Sequence, residues 1–294
     1  MRRVLSFTLL LIPAPLFAQS ADEKKATIQF LTALQQTDGG FIPAPPDRRV
    51  DTPPRSSLRA TSAAVRAIRY LGGELPKKDK ALAFVKSCLN ADTGAFSDTP
   101  GGKGELAATA IGMMALAELQ PEANQEKSVG YLVRRAKTFE DRRLAVAGME
   151  ATGKFPPEVH DWIAEVNSGR NPDGTYGKEA GLPRDTGSVV AMILRSGGKL
   201  DNDQRKAVVS ALQAGQRPDG GFGKAEAKDS DPETTYRVMR AFYLLKEKPK
   251  DVAQLKAFIA KNRNADGGYG LGPGQPSTVS GTYYAAVIGN WLDK

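Results

Sequence analysis

The sequence predicts an all-α protein, an α/α toroid of six helical hairpins with an inner and an outer ring of six helices each. Three observations carry this reading. First, a turn of the form Asp-Gly-Gly-aromatic, or a close variant, recurs five times. The copies are Asp38-Gly39-Gly40-Phe41, Asp92-Thr93-Gly94-Ala95-Phe96, Asp173-Gly174-Thr175-Tyr176-Gly177, Asp219-Gly220-Gly221-Phe222-Gly223 and Asp266-Gly267-Gly268-Tyr269-Gly270. Second, their aspartates lie 54, 81, 46 and 47 residues apart, and self-similarity at such a period marks a repeat architecture. The gap of 81 is close to two periods, so one module keeps its helices and lacks the loop. Third, the segments flanking the turns alternate between two helical patterns, one amphipathic and one apolar nearly all round.

The elements follow in order. Module one takes helices at 28–36 and 58–71, module two at 80–89 and 105–119. Module three, the one without a glycine loop, takes 126–137 and 141–151. Modules four, five and six take 157–167 with 185–195, 203–215 with 232–245, and 252–262 with 280–292. First helices carry an apolar stripe among charges, as in Leu255, Phe258 and Ile259. Second helices read like Ala107-Ala108-Thr109-Ala110-Ile111-Gly112-Met113, and a helix apolar all round is buried. The second helices therefore form the inner ring. A straight superhelix is the alternative, because a period does not fix closure. In the turns, glycine supplies the positive backbone dihedral that ends a helix. Aspartate accepts backbone amides there, so these aspartates are structural and not a catalytic set. The proline-rich stretch Pro43 to Arg55 interrupts module one and reads as an extended surface segment.

Met1-Arg2-Arg3, the apolar run to Ile12 and the small residue Ala18 read as a secretory signal, giving a domain scheme of 1–18 signal peptide and 22–294 single toroid. The expected location is secreted or periplasmic, with no transmembrane segment after signal removal. Without Arg2 and Arg3 the formal net charge falls from +8 to +6. Clusters such as Lys77, Lys78 and Lys80 lie at helix ends, so no nucleic-acid face is expected. Cys88 is the single cysteine and falls on an apolar stripe with Leu82 and Val85, which excludes an intrachain disulfide. His160, the sole histidine, sits beside the stripe of Val159, Trp162, Ile163 and Val166 and reads as a surface residue.

Gln216-Arg217-Pro218-Asp219-Gly220-Gly221-Phe222-Gly223, leading to Asp231-Pro232-Glu233-Thr234-Thr235-Tyr236, resembles the prenyltransferase and squalene-cyclase repeat. Asn264 to Gly270, leading to Ser280-Gly281-Thr282-Tyr283-Tyr284-Ala285, repeats it, and the resemblance covers nearly all of the mature chain. It implies the toroid of protein prenyltransferase β subunits, with an isoprenoid diphosphate in the central cavity and a catalytic zinc that activates a thiol. The resemblance also implies zinc ligands of aspartate, cysteine and histidine. Here Glu233 and Thr235 take the first two positions when Tyr236 is matched, or Asp231 and Glu233 when counted from Phe222. Gly281 or Thr282 takes the third. That set lacks a thiolate and an imidazole and is of the wrong composition for catalytic zinc. Lys228, and less closely Lys224, fall where the family holds the diphosphate. The cyclase branch of the family protonates an alkene with Asp-x-Asp-Asp, which Asp229-Ser230-Asp231-Pro232-Glu233 resembles faintly. Helix capping by Asp231 accounts for the same residues.

The expectation is a secreted, prenyltransferase-like toroid that lacks zinc-dependent transfer and acts in binding or assembly, with no cofactor. Its partner would be an unidentified protein or an apolar small molecule. The alternative is a prenyltransferase or a terpene- or squalene-cyclase-like enzyme acting on an isoprenoid, and only there is zinc a possibility. A glycan-active enzyme is a further alternative, using Asp231 with Glu233, or Glu140 with Asp141. Any active site is expected at the start of the fifth inner helix. Its catalytic candidates are Asp231, Glu233 and Tyr236, and its substrate-binding candidates are Lys224, Lys228, Thr235, Tyr283 and Tyr284.

Overall fold

The computed structural model describes residues 19–47 and 51–294, so the expected signal at 1–18 lies outside the described residues. Among these there are twelve α-helices and no strand beyond isolated bridges in the turns. The outer helices are α1 (Ala21–Ala33), α3 (Lys78–Ser87), α5 (Glu126–Arg135), α7 (Glu158–Ser168), α9 (Asn202–Ala214) and α11 (Val252–Ala260). The inner ones are α2 (Leu58–Tyr70), α4 (Leu106–Leu119), α6 (Phe139–Glu150), α8 (Leu182–Arg195), α10 (Pro232–Leu245) and α12 (Val279–Leu292).

The ring closes. Each inner helix packs on the next from α2 to α12, and α12 packs back on α2. Outer helices lie over the grooves, α3 touching α2 and α4, α5 touching α4 and α6, and α7 touching α6 and α8. The glycine turns stitch each module to the next. A Cβ on Gly220 would stand 2.1 Å from the Gln254 carbonyl oxygen of α11, and one on Gly267 would stand 2.7 Å from the Ala26 carbonyl oxygen of α1. Both glycines have positive φ, +92° and +85°. The last turn thus meets the first helix as every other turn meets its successor. Thr27 seals that seam by donating to the Gly267 carbonyl at 2.9 Å.

Inside each turn the aspartate accepts the amide two residues on, as Asp219 does from Gly221 and Asp266 from Gly268. In the second copy Asn90 does this work for the amides of Asp92 and Thr93. The aromatic that follows is buried, and its own amide donates to a buried inner-helix threonine. The five pairs are Phe41 to Thr61, Phe96 to Thr109, Tyr176 to Thr186, Phe222 to Thr235 and Tyr269 to Thr282, each at 2.9–3.0 Å. Module three lacks the turn, and α5 passes into α6 through Ala136, Lys137 and Thr138, with Thr138 and Asp141 forming a capping box. Arg142 stands where the other modules place the threonine, ion-paired to Glu165 at 2.6 Å.

Two helices start three or more residues earlier than the periodicity predicts. Ser20 and Glu23 form a capping box that begins α1 at Ala21. A short 3₁₀ turn at Glu179–Gly181 runs into α8, which starts at Leu182 with Pro183 in its first turn. The proline-rich insertion is tied at its start, where the Pro43 carbonyl accepts from Val279 at 2.8 Å.

Candidate functional site

Because the hairpins alternate, the inner helices run parallel and present one face each to the axis. Their side chains enclose a cavity of about 390 Å³, which lies within the ~300–1,000 Å³ typical of small-molecule sites. The lining obeys a register. Counted from the loop-bonded threonine, the positions two before and one, two and five after face the axis. On α2 these are Arg59, Ser62, Ala63 and Arg66, on α10 Glu233, Tyr236, Arg237 and Arg240, and on α12 Ser280, Tyr283 and Tyr284. Helix α6 gives Glu140, Arg143, Leu144 and Ala147, while α4 and α8 give Ile111, Met114, Ser188, Ala191, Met192 and Arg195.

The side chains fall into two layers. Toward the helix N-termini the layer is partly exposed and its charges are matched. Arg237 donates to Glu233 at 2.7 Å and lies 3.4 Å from Glu140, which also pairs with Arg143 at 2.7 Å. Arg59 lies 3.8 Å from Asp98 and 3.7 Å from Glu105. Burial alone would raise the Glu140 carboxyl, but the hydrogen bond and charge of Arg143, aided by Arg237 and Arg184, hold it below the usual carboxylate range.

Toward the helix C-termini the layer is deeper, with Arg240 buried and Arg66, Arg195 and Tyr236 half-buried, and its charges are only partly matched. Arg195 has Glu150 at 3.1 Å. Arg240 donates to the Tyr236 hydroxyl and lies over the Tyr236 and Trp291 rings at 5.0 and 4.7 Å from their centroids. Arg66 donates to Met114 Sδ at 3.3 Å and lies 5.0 Å from the Tyr283 ring centroid. Among the described residues no carboxylate pairs with Arg66 or Arg240. A ring face returns about 2 kcal/mol when desolvated, less than the several kcal/mol that taking a charge out of water costs. Tyr236 answers this field. Burial would raise its phenol, yet Arg240, then Arg66 and Arg195, and a hydrogen bond with Tyr283 at 3.2 Å bring it down to about 7. Burial dominates at Tyr283 and pushes that hydroxyl upward.

Of the residues singled out from sequence, Glu233, Tyr236, Tyr283 and Tyr284 meet in this cavity. The three tyrosines are in contact, with ring centroids 5.1–5.9 Å apart. The others lie elsewhere. Asp231 caps α10, accepting the Thr234 amide at 2.8 Å. Thr235 is fully buried and engaged with Phe222. Lys224 and Lys228 are exposed on the loop after Phe222, outside the cavity lining. Asp141 belongs to the capping box of α6. The zinc positions do not suit the metal. Glu233 is held by Arg237, the Thr235 and Thr282 hydroxyls bond the turn amides, and Gly281 packs on the Tyr269 and Gly270 carbonyls. Among the described residues no group of three or more His, Cys, Asp or Glu could hold a metal.

Sequence reasoning missed the arginines and Trp291. A signal was present, since Arg59 and Arg66 stand seven residues apart on one helix, as do Glu233 and Arg240 on another. Two turns of helix bring such positions to one face.

Fold and cavity together define an α/α toroid with a cavity on its axis. Residues 5–151 and 143–292 match the prenyltransferase alpha-alpha toroid domain, and the chain belongs to that family. Drimenyl diphosphate synthase of Streptomyces showdoensis is 30% identical over 133 residues, 40% of this chain and 24% of that protein. The chain thus matches about a quarter of that relative's length. The type II terpene cyclase MstE from Scytonema superposes with a TM-score of 0.63 at 12% identity, over 92% of this chain and 96% of the cyclase. ent-Copalyl diphosphate synthase from Streptomyces platensis gives 0.55 at 14% identity, over 95% and 69%. An alpha-amylase from Clostridium perfringens gives 0.59 at 13% identity, over 96% and 99%. The fold is that of a terpene cyclase-like toroid, shared also with a glycan-active protein.

Proposed function

We propose that this chain is a terpene cyclase-like toroid that holds an isoprenoid ligand in its central cavity. One observation carries the reading. All six inner helices contribute to a single axial cavity with a wall of Tyr236, Tyr283 and Tyr284 facing Ile111, Met114, Leu144 and Met192. That lining suits a branched hydrocarbon, and a drimenyl diphosphate synthase among the relatives supports the ligand class. The binding role expected from sequence is proposed again here in narrower form, with an isoprenoid as the apolar small-molecule partner. Export guided by 1–18 is proposed with it.

Protonation of an alkene needs a neutral carboxylic acid in a dry site. Glu140 and Glu233 are both ion-paired and Asp231 is engaged in a cap, so among the described residues no such acid lines the cavity. The same pairing argues against a glycan-cleaving carboxylate couple. Turnover is the second reading, and Tyr236 favours it, because a phenol held near neutrality can exchange a proton with a bound substrate.

The test is native mass spectrometry of the full chain with geranyl, farnesyl and geranylgeranyl diphosphates and the matching alcohols, followed by product analysis of the same mixtures. A stoichiometric complex with unchanged ligand is the expected result. A cyclised or rearranged product would establish the second reading. No complex with any of the six compounds would overturn both.

A further inference from the structure

Arg66, Arg195 and Arg240 reach the buried end of the cavity from α2, α8 and α10. They hold three guanidiniums against one carboxylate, Glu150. Nothing about packing requires this, since the neighbouring lining positions at the same depth are Met114, Ala147 and Ala191. The N-terminal layer shows what a matched arrangement looks like, with Arg59, Arg143 and Arg237 each given a carboxylate. Guanidinium forks match oxyanions bidentately. The Arg240 fork already donates to the Tyr236 hydroxyl.

We infer that this buried layer is an oxyanion subsite, in which Arg66, Arg195 and Arg240 bind the carboxylate or phosphate head of the isoprenoid and Tyr236 is the internal counter-ion that the head replaces. The inference rests on the isoprenoid reading for the apolar part of the ligand only. In the free protein above neutral pH, Tyr236 is ionised, held down to about 7 by the three arginines. When the oxyanion enters, the phenolate takes up one proton from solvent and becomes a hydroxyl donor to it. Tyr283 and Tyr284 of α12 face Tyr236, Glu233 lies one turn earlier on its own helix, and Tyr70 of α2 acts on Arg66, Arg240 and Tyr283. Burial raises Tyr283 and Tyr284, so neither titrates in the same range. The sign follows. Affinity for the oxyanion is greatest below about pH 7 and declines as pH rises toward the ordinary phenol range of about 10.

Calorimetric titration of the full chain tests this, with inorganic diphosphate, farnesyl diphosphate, farnesoate and farnesol as probes. Farnesoate does not titrate between pH 7 and 10, so its proton balance reports the protein. We expect roughly one proton taken up per farnesoate at pH 8, measured across buffers of different ionisation heat, and none in Tyr236→Phe. Arg66→Gln and Arg240→Gln should each weaken farnesoate at least tenfold, while Arg135→Gln, an equal charge loss on the outer surface, should stay within about threefold. Binding of farnesoate without proton uptake, or with unchanged affinity in both inner variants, overturns the inference. Tyr236→Phe keeps the proposal testable if the arginine variants fold poorly. Relative affinity for farnesoate and farnesyl diphosphate decides between the two head groups. Failure of the isoprenoid reading looks different, with inorganic diphosphate binding in an arginine-dependent way and the farnesyl chain adding nothing. Tight farnesol binding without any arginine dependence would keep that reading and sink the subsite.

Discussion

Thr235→Val isolates the interaction that recurs in five of the six modules. Thr235 is fully buried, its hydroxyl oxygen accepts the Phe222 amide at 3.0 Å, and its own proton points to the Phe222 carbonyl at 3.2 Å. Valine keeps the shape and removes the oxygen. The carbonyl still has the Asp231 amide at 3.0 Å, so the one group orphaned is the Phe222 N–H. A buried donor without a partner costs about 1–3 kcal/mol. The expected loss is therefore about 1–3 kcal/mol, read by denaturant unfolding with an unchanged m-value, together with faster hydrogen exchange at the Phe222 amide. Thr235→Ser is the control, retaining the oxygen and losing a methyl worth about 1 kcal/mol, with exchange at Phe222 left slow. A valine variant within about 0.5 kcal/mol of wild type, or one whose Phe222 amide stays protected, would refute the reasoning. Thr235 would then be a filler, and its assignment to substrate would need reconsidering.

Two further outcomes follow from the packing. Gly267→Ala places a methyl 2.7 Å from the Ala26 carbonyl at a φ of +85°. Left-handed strain and overpacking together should cost about 2–5 kcal/mol, and limited proteolysis should cut first near the seam between α1 and the last turn. Cys88 is buried, and that burial, with the charge of Asp98 adding to it, pushes its thiol up to about 12. A thiol-specific reagent at pH 8 should therefore label it only after unfolding, and rapid labelling of the native chain would contradict its burial.

How much of this was legible in the sequence depends on whether a feature is local or needs the ring. The six hairpins, the missing third turn and the buried Cys88 were readable because helix period and turn chemistry are local. Tyr236, Tyr283 and Tyr284 were readable as a group because two copies of one repeat place them at matching positions. The N-terminal start of α1 was also local, in Ser20 and Glu23, but the apolar stripe begins later and drew attention away from it. The arginines were not readable in the same way. On one helix Arg66 or Arg240 looks like a solvated charge, and only closure of α12 onto α2 turns that face inward. Lys224 and Lys228 show the converse error, since a loop position equivalent by count was carried outward by the path after Phe222.

The register also separates what holds the ring from what the ring can hold. The loop glycines and the threonines that accept the turn amides point away from the axis, into neighbouring modules. Close backbone approach fixes the spacing of the inner helices. A Cβ on Gly148 of α6, for example, would meet the Ala110 Cα of α4 at 2.9 Å. The cavity's outline is therefore set by atoms that no ligand touches. Two to four axis-facing positions per helix remain free to change, because their side chains meet one another and not the seams. This explains physically how one toroid accommodates isoprenoid cyclases and an amylase among its structural neighbours. In this chain those positions carry an aromatic wall from α10 and α12 and an uncompensated cationic end from α2, α8 and α10. A purely structural filling of the axis would favour aliphatic side chains, since replacing buried charge by packed hydrocarbon is often neutral or stabilising. Arg66 and Arg240, kept in that place without a carboxylate while Arg195 alone has Glu150, are better accounted for by an anion that arrives than by the ring that surrounds them.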